Sequence, residues 1–419
     1  MQPKTSGPDL ANLTAQLNEL REKAGQLFMA GRFADALEVA RQGLGILYWP
    51  PFVEQEICCL SRLGRYDEAM QIAEHLPEDK RSANFFDILS EIYGELGVLD
   101  KVRLYGSRSL AMKNQQTLAD PGHELPRETP PRFDPQAINI IAFSLFGDKA
   151  RYCECAILNC QAVAQMLPGW TCRFYVDETV PDDVLRRIAA AGGELCVLET
   201  HVRQIVHPLM WRFVVVDDEK VARYLIRDAD SVIAPREVAA IAEWLASDKW
   251  FHVMRDSTTH SELILAGMWG GCGGIAWNMQ AEVPMFMAAG EYAATHADQH
   301  FLRFRVWPTM RKSVLSHDEI FDYPGNRPFP PCNAPRRWQD DHVGANFGFP
   351  QISGEVDVPD GTALDWTLLN EAGDAVCSYR VLVQSGSWEA SLPFSYARKL
   401  ADGIWKIRAL PRLDPAIVH

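Results

Sequence analysis

The chain reads as a multidomain protein: an all-α repeat array, then an α/β domain with a mostly parallel sheet, then a small antiparallel β-module. Three observations predict this. A glycine recurs at a constant step near the N-terminus, a proline-rich stretch follows it, and strand-helix alternation gives way to short alternating runs after about residue 350. At 419 residues the chain also exceeds what one hydrophobic core usually organises, and an apolar fraction of 47% is enough for several.

The repeat comes first. The stretches "MAGRFADALEVA", "SRLGRYDEAMQIA" and "GELGVLDKVRLYG" align on Gly31, Gly64 and Gly97, a step of 33 residues. Two residues after each glycine stands Phe33, Tyr66 or Leu99, followed by Ala36, Ala69 or Val102. Glycine suits a tight turn between antiparallel helices, and the small residue lets the helices approach. The pattern resembles the tetratricopeptide repeat, whose period is about 34 residues. An array over residues 1–115 is expected; the resemblance implies a surface for a protein or peptide partner, or for self-association.

Residues 116–136 carry Pro121, Pro126, Pro130, Pro131 and Pro135 with no apolar period, so they read as an extended linker. Beyond it "INIIAFSLF", "WTCRFYVD" and "ELCVLE" read as strands, with "CAILNCQAVAQML" and "PDDVLRRIAAAGG" as helices between them. Apolar strands alternating with helices predict a mostly parallel sheet covered on both faces, here over residues 137–350. From 351 to 419, "DWTLLNEAGDAVCSYRVLV", "SWEASLPF" and "DGIWKIRAL" suggest a small β-sandwich-like module. Trp366, Trp388 and Trp405 can bind sugar there, but a small module needs them more as core.

Composition excludes several classes. The net charge is -14, from 55 acidic and 41 basic residues, and no basic block is present, which argues against nucleic acid. No segment approaches the ~20 apolar residues that span a bilayer, and no leader-like pattern opens the chain, so a soluble cytoplasmic protein is expected. The ten cysteines lack paired C-x-x-C spacing and read as small buried hydrophobes.

The chemistry centres on "YLIRDADSVIAPRE". Asp228 and Asp230 follow an apolar run, and Pro235 opens a helix in which Val238, Ile241 and Leu245 share a face. Parallel sheets bind ligands at the carboxyl ends of their strands. Two carboxylates there can hold a divalent cation whose shell is completed by water and phosphate oxygens, and that cation would neutralise a departing diphosphate.

Residues 210–271, from "MWRFVVVDDEK" through "YLIRDADSV" to "ILAGMWGG", resemble bacterial glycosyltransferase-like proteins of the A-type (GT-A, nucleotide-diphospho-sugar transferase) fold. "INIIAFSLFGDKARYCECAILNC" and "ADQHFLRFRVWP" are similar to the same group. The resemblance implies a metal-dependent glycosyltransferase that moves a sugar from a nucleotide-sugar to an unidentified protein or glycan acceptor, with Mn²⁺ or Mg²⁺ as cofactor. It assigns Asp230 as main metal ligand, Asp228 to metal or ribose, and Arg212 to the donor. Ser144, Phe146 and Tyr152 would face the nucleotide. His317 would complete the metal shell, with His342 as its competitor. Gly270 and Gly271, in "GMWGGCGG", would permit close approach of the donor sugar, with a bulged turn as the plainer reading. Asp256, Asp298 and Gln299 are the candidate catalytic or acceptor-binding groups; Asp298 can equally cap a helix.

Two other functions fit some of the same residues. Haloacid-dehalogenase phosphatases use a D-x-D whose first aspartate is a nucleophile, which would be Asp228. Arg227 interrupts the apolar approach to that motif, and the motif should open its domain. A non-catalytic scaffold, with a degenerate transferase domain beside the repeats, is the other alternative; four polar groups on three separate segments, Arg212, Asp228, Asp230 and Asp298, weigh against decay.

Overall fold

The computed structural model describes residues 8–290 and 297–411. The chain forms two compact units. One takes the residues up to Leu118 together with Ser257–Leu263 and Ile320–Pro324; the other takes Ala119–Asp256, Ile264–Glu319 and the chain from Gly325.

The first unit is helical: α1 (Pro8–Met29), α2 (Phe33–Ile46), α3 (Pro50–Arg62), α4 (Tyr66–His75), α5 (Ala83–Glu95) and α6 (Leu99–Gln116). The 33-residue step corresponds to one turn built three times. Gly31, Gly64 and Gly97 have φ of 72°, 71° and 70°, the left-handed region where a side chain is strained. Each glycine N–H donates to the carbonyl three residues back, and the following N–H reaches five residues back, to Leu27, Leu60 or Tyr93 at 2.9 Å. Ala36, Ala69 and Val102, the small residues of the pattern, are wholly buried.

The second unit is built on an eight-stranded sheet. Its elements are β1 (Ile138–Leu145), α7 (Ala150–Met166), β2 (Thr171–Val176), α8 (Asp182–Ala190), β3 (Glu194–Cys196), α9 (Thr200–Ile205), β4 (Val221–Arg227) and α10 (Pro235–Ala246). Then come β5 (Phe251–Arg255), β6 (Met268–Cys272), α11 (Met279–Ala288), α12 (Ala297–Phe301), α13 (Trp307–Met310), β7 (Val314–Asp318) and β8 (Asn326–Arg327). The order is β3-β2-β1-β4-β6-β5-β7-β8, parallel throughout except that β6 runs antiparallel to both neighbours. Ile140 to Leu145 are buried on both faces of β1, as a central strand covered by helices requires.

"GMWGGC" departs from the loop expected of it: it is the buried strand β6. Gly270 and Gly271 pair with Leu225 and Tyr224 of β4. A Cβ at Gly270 would lie 2.5 Å from the Tyr224 carbonyl, so both glycines serve the close packing of strands. The proline-rich stretch is also tied down from Asp120 onward. Its carbonyls have no ladder of their own and are taken by side chains: Arg311 donates to Asp120 O at 2.8 Å, Lys312 to His123 O at 2.7 Å, and Trp250 to Arg127 O at 3.1 Å.

The same unit carries the C-terminal strands β9 (Gln351–Glu355), β10 (Ala363–Leu369), β11 (Ala375–Leu382) and β12 (Ser387–Ser391), then α14 (Phe394–Ala401) and β13 (Lys406–Pro411). They form antiparallel sheets of order β11-β10-β13 and β12-β9. Trp366, Trp388 and Trp405 are buried; Trp366 stacks on Trp388, and Trp405 packs on Tyr396. Their ring faces are core.

Candidate functional site

Strands β1 and β4 are parallel neighbours, and from them the order runs outward in opposite directions, to β2 and β3 on one side and to β6 on the other. Such a reversal opens a crevice at the carboxyl ends of the two strands. Ser144 and Phe146 lie at the end of β1, and Asp228 and Asp230 directly follow β4. The sheet therefore brings residues far apart in sequence to one rim.

The turn bearing the aspartates is held from several sides. Asn159 on α7 donates to Ser231 O at 2.8 Å and accepts from Ile233 N at 3.1 Å. Phe347 N donates to Asp230 O at 2.6 Å, and Arg337 to Val232 O at 2.9 Å. Arg227, the break in the apolar run, supplies the rest. It is fully buried, donates to Glu237 at 2.9 Å, to Ser231 Oγ at 3.2 Å and to Gly267 O at 2.6 Å, and so ties strand end, turn and helix start together. Burial pushes the Glu237 carboxyl up, and Arg227 opposes that push.

Each aspartate faces an arginine. Arg212, almost fully buried in the 3-10 segment Pro208–Asp217, pairs with Asp228 and lies 3.6 Å from Asp298. Its backbone N–H donates to Ser144 Oγ at 3.0 Å, so Ser144 positions the arginine. Asp230 pairs with Arg151 of α7 at 2.7 Å. The two aspartates differ in solvation: the Asp228 side chain is 44% exposed and Asp230 only 19%. Burial raises the Asp230 carboxyl above its ordinary 3.8, the Asp228 charge raises it further, and Arg151 lowers it. Tyr152 lies under the Arg151 guanidinium at 4.8 Å, and Phe146 packs edge-on against Trp211 while staying partly exposed.

Of the residues singled out in the sequence, Ser144, Arg212, Asp228 and Asp298 form one connected cluster, with Asp230 and Tyr152 beside it through Arg151. Others lie elsewhere. His317 is fully buried on β7, 2.8 Å from His252, with Nε2 3.4 Å from Glu243 and its ring against Phe329. His342 Nδ1 is 2.8 Å from Asp340 O. Asp256 accepts two hydrogen bonds from Arg236 and one from Val343 N, which occupy its carboxylate. Asp298 accepts from the Gln299 N–H at 2.9 Å at the start of α12. Among the described residues no group of three or more His, Cys, Asp or Glu is placed to hold a metal ion.

Two participants escaped the sequence reading. Arg151 sits beside Tyr152 in "DKARYC", and nothing in spacing reveals that it faces a strand end 79 residues away. Gly267 is the other: a Cβ there would fall 2.0 Å from Asp228 Oδ2, so only glycine leaves that carboxylate its place. The cluster of five glycines was the available signal, but it pointed at Gly270 and Gly271.

No family model matches the chain, and no curated protein matches it either. Among solved structures, a mutant of the Thermobaculum terrenum O-GlcNAc transferase is similar over 54% of this chain, at 12% identity and a TM-score of 0.28. The chain spans about half of that protein, 47% of its length. A superposition of that quality carries no argument for fold or function. No helix among the described residues is long and apolar enough to cross a membrane.

Proposed function

We propose that the protein transfers a sugar from a nucleotide-sugar to an acceptor, with the donor diphosphate bound at the Asp228-Ala229-Asp230 turn. One observation carries this reading: two carboxylates and two guanidiniums, Arg212 and Arg151, converge at the switch point of a mostly parallel sheet. On this reading the helical unit is a tetratricopeptide-like array for a partner chain, 116–136 is a connector, 137–350 is a GT-A-like catalytic domain, and 351–419 is an accessory β-module.

Asp228 and Asp230 fit a hard divalent cation, Mn²⁺ or Mg²⁺. Two carboxylates stand one residue apart at a strand end, each already facing a cationic guanidinium, and a hard cation needs only one or two such ligands beside water and phosphate oxygens. When bound, the cation supplies charge neutralisation for the diphosphate. Arg212, freed from Asp228, would bind phosphate, with Asp298 holding its other terminal nitrogen. Arg151 would do the same from the side of Asp230, and Tyr152 and Phe146 would border the base. His317 is left out, because it is fully buried on β7 with Nδ1 2.8 Å from His252, outside the cluster that Arg212 and Arg151 form with the aspartates.

The test is calorimetry of metal-loaded protein against a panel of nucleotide-sugars. Metal-dependent binding is expected, and Asp230→Ala should abolish it while leaving the melting temperature nearly unchanged, since a rim carboxylate supports no core. Absence of any donor binding would refute the reading. The two arginine pairs favour one variant of it, in which guanidiniums alone hold the diphosphate; binding that survives a chelator identifies that case.

A further inference from the structure

A cavity of about 730 Å³ lies where the start of α7 meets β9, β11 and β12, all within the α/β unit. That volume lies in the range of small-molecule sites, ~300–1,000 Å³. We propose that this cleft binds a neutral, hydroxyl-rich oligosaccharide and, resting on the transferase reading above, serves as its acceptor subsite.

The lining selects the ligand class. Gln351, Gln384, Ser385, Ser387, Glu389 and Ser391 supply amide, hydroxyl and carboxylate groups, which match the alternating donors and acceptors of sugar hydroxyls. Charge argues against an anionic ligand. Of the cations in the lining, Arg151 is paired with Asp230 and Arg380 with Asp365, which leaves Lys149 against Asp148 and Glu389. A phosphate-bearing ligand would meet no net positive charge there.

Two further features mark the cleft as more than a surface dent. Trp366 forms part of the lining, is wholly buried, and its indole Nε1 has no hydrogen-bond partner within the protein. A buried donor left unmet is costly unless something else accepts from it. Ser385 is, among the described residues, the one non-glycine with positive φ, 53°. It occupies the two-residue hairpin turn between β11 and β12, closed by the reciprocal Gln384–Ser387 hydrogen bonds of 2.8 and 3.0 Å. Asparagine or glycine would suit that position better, and strain of this kind collects at ligand sites.

Arg151 gives the cleft its place in the reaction. It lines the cavity and at the same time pairs with Asp230. A glycan lying there has one end at the group that flanks the proposed diphosphate site.

Saturation-transfer NMR and calorimetry on the full chain, without nucleotide or metal, test the proposal. The probes are neutral trisaccharides of gluco, N-acetylgluco, manno and galacto configuration. At least one should bind, and Ser387→Arg, which fills the cleft with a long cation, should weaken it at least ten-fold. Glu389→Ala removes one polar partner without filling space and should weaken it by about three- to ten-fold. Failure of all four sugars at millimolar concentration overturns the proposal, as does binding that neither cleft variant alters, or binding of an extended serine-rich peptide in place of the sugars. Sugar binding without donor binding would sink the transferase reading and leave the cleft standing; the reverse result would do the opposite.

Discussion

Asp228 and Asp230 are separated by one residue, yet each is tied to a different part of the fold. Asp228 is set by Arg212 and by the space Gly267 leaves for it, and Asp230 by burial and Arg151. Gly267→Ala should displace the Asp228 carboxylate and weaken metal-dependent nucleotide binding on the order of ten-fold, because small misplacements of a positioned group are costly. The clash falls on the end of a half-exposed side chain, so circular dichroism and the melting curve should hardly change. A carboxyl-carbon NMR titration gives a second check. Asp228→Asn removes the like charge that pushes the Asp230 pKa up, so the Asp230 titration should move to lower pH. At this scale the sequence showed residue types better than partners. D-x-D, "WRF" and "DQ" stand out in one dimension, but the pairing of Arg151 with Asp230 and the burial of His317 depend on which strands become neighbours.

Among the elements, β4 and the helix after it decide how firmly the site is held. Arg227 and Glu237 form an ion pair with side-chain exposures of 0% and 1%, joining the strand end to the first turn of α10. Arg227→Met would leave Glu237 buried without its cation, and removing one partner of such a pair costs about 3–5 kcal/mol. Chemical denaturation should show that loss, and the double variant Arg227→Met, Glu237→Leu should recover much of it. Most elements were legible from their periods: the strand expected at "INIIAFSLF" is β1, and the helix opened by Pro235 is α10. The glycine-rich segment was not, because glycine favours loops locally and only its neighbours Tyr224 and Leu225 make a strand of it. Arg227 was similarly opaque. An arginine in an apolar run looks like a break until its carboxylate partner ten residues later is seen to be buried with it.

For the whole molecule, a pair of buried histidines contributes a loss of stability in acid. Burial lowers the pKa of His252 well below the ordinary 6.5, with His317 and Arg227 adding to it; burial lowers that of His317 as well, with Glu243 opposing. Both rings are therefore neutral in the fold but take up protons on unfolding. Their contribution to stability is fully present above pH 6.5 and falls as pH drops below it toward the depressed folded values, by up to about 1.4 kcal/mol per pH unit for each histidine. Unfolding curves between pH 7.5 and 5 should show this slope, and His252→Phe should flatten it. The helical unit has a property of another kind. It is not contiguous in sequence: Ser257–Leu263 and Ile320–Pro324 complete it, and the buried ammonium of Lys113 bonds to Ser261 O at 2.6 Å and lies 3.4 Å from Glu262. The repeat region is thus not a portable bead. A gene fragment that stops at residue 118 encodes a body with its closing pieces missing, and recombination could transplant these repeats intact only by carrying three separate stretches of the gene together.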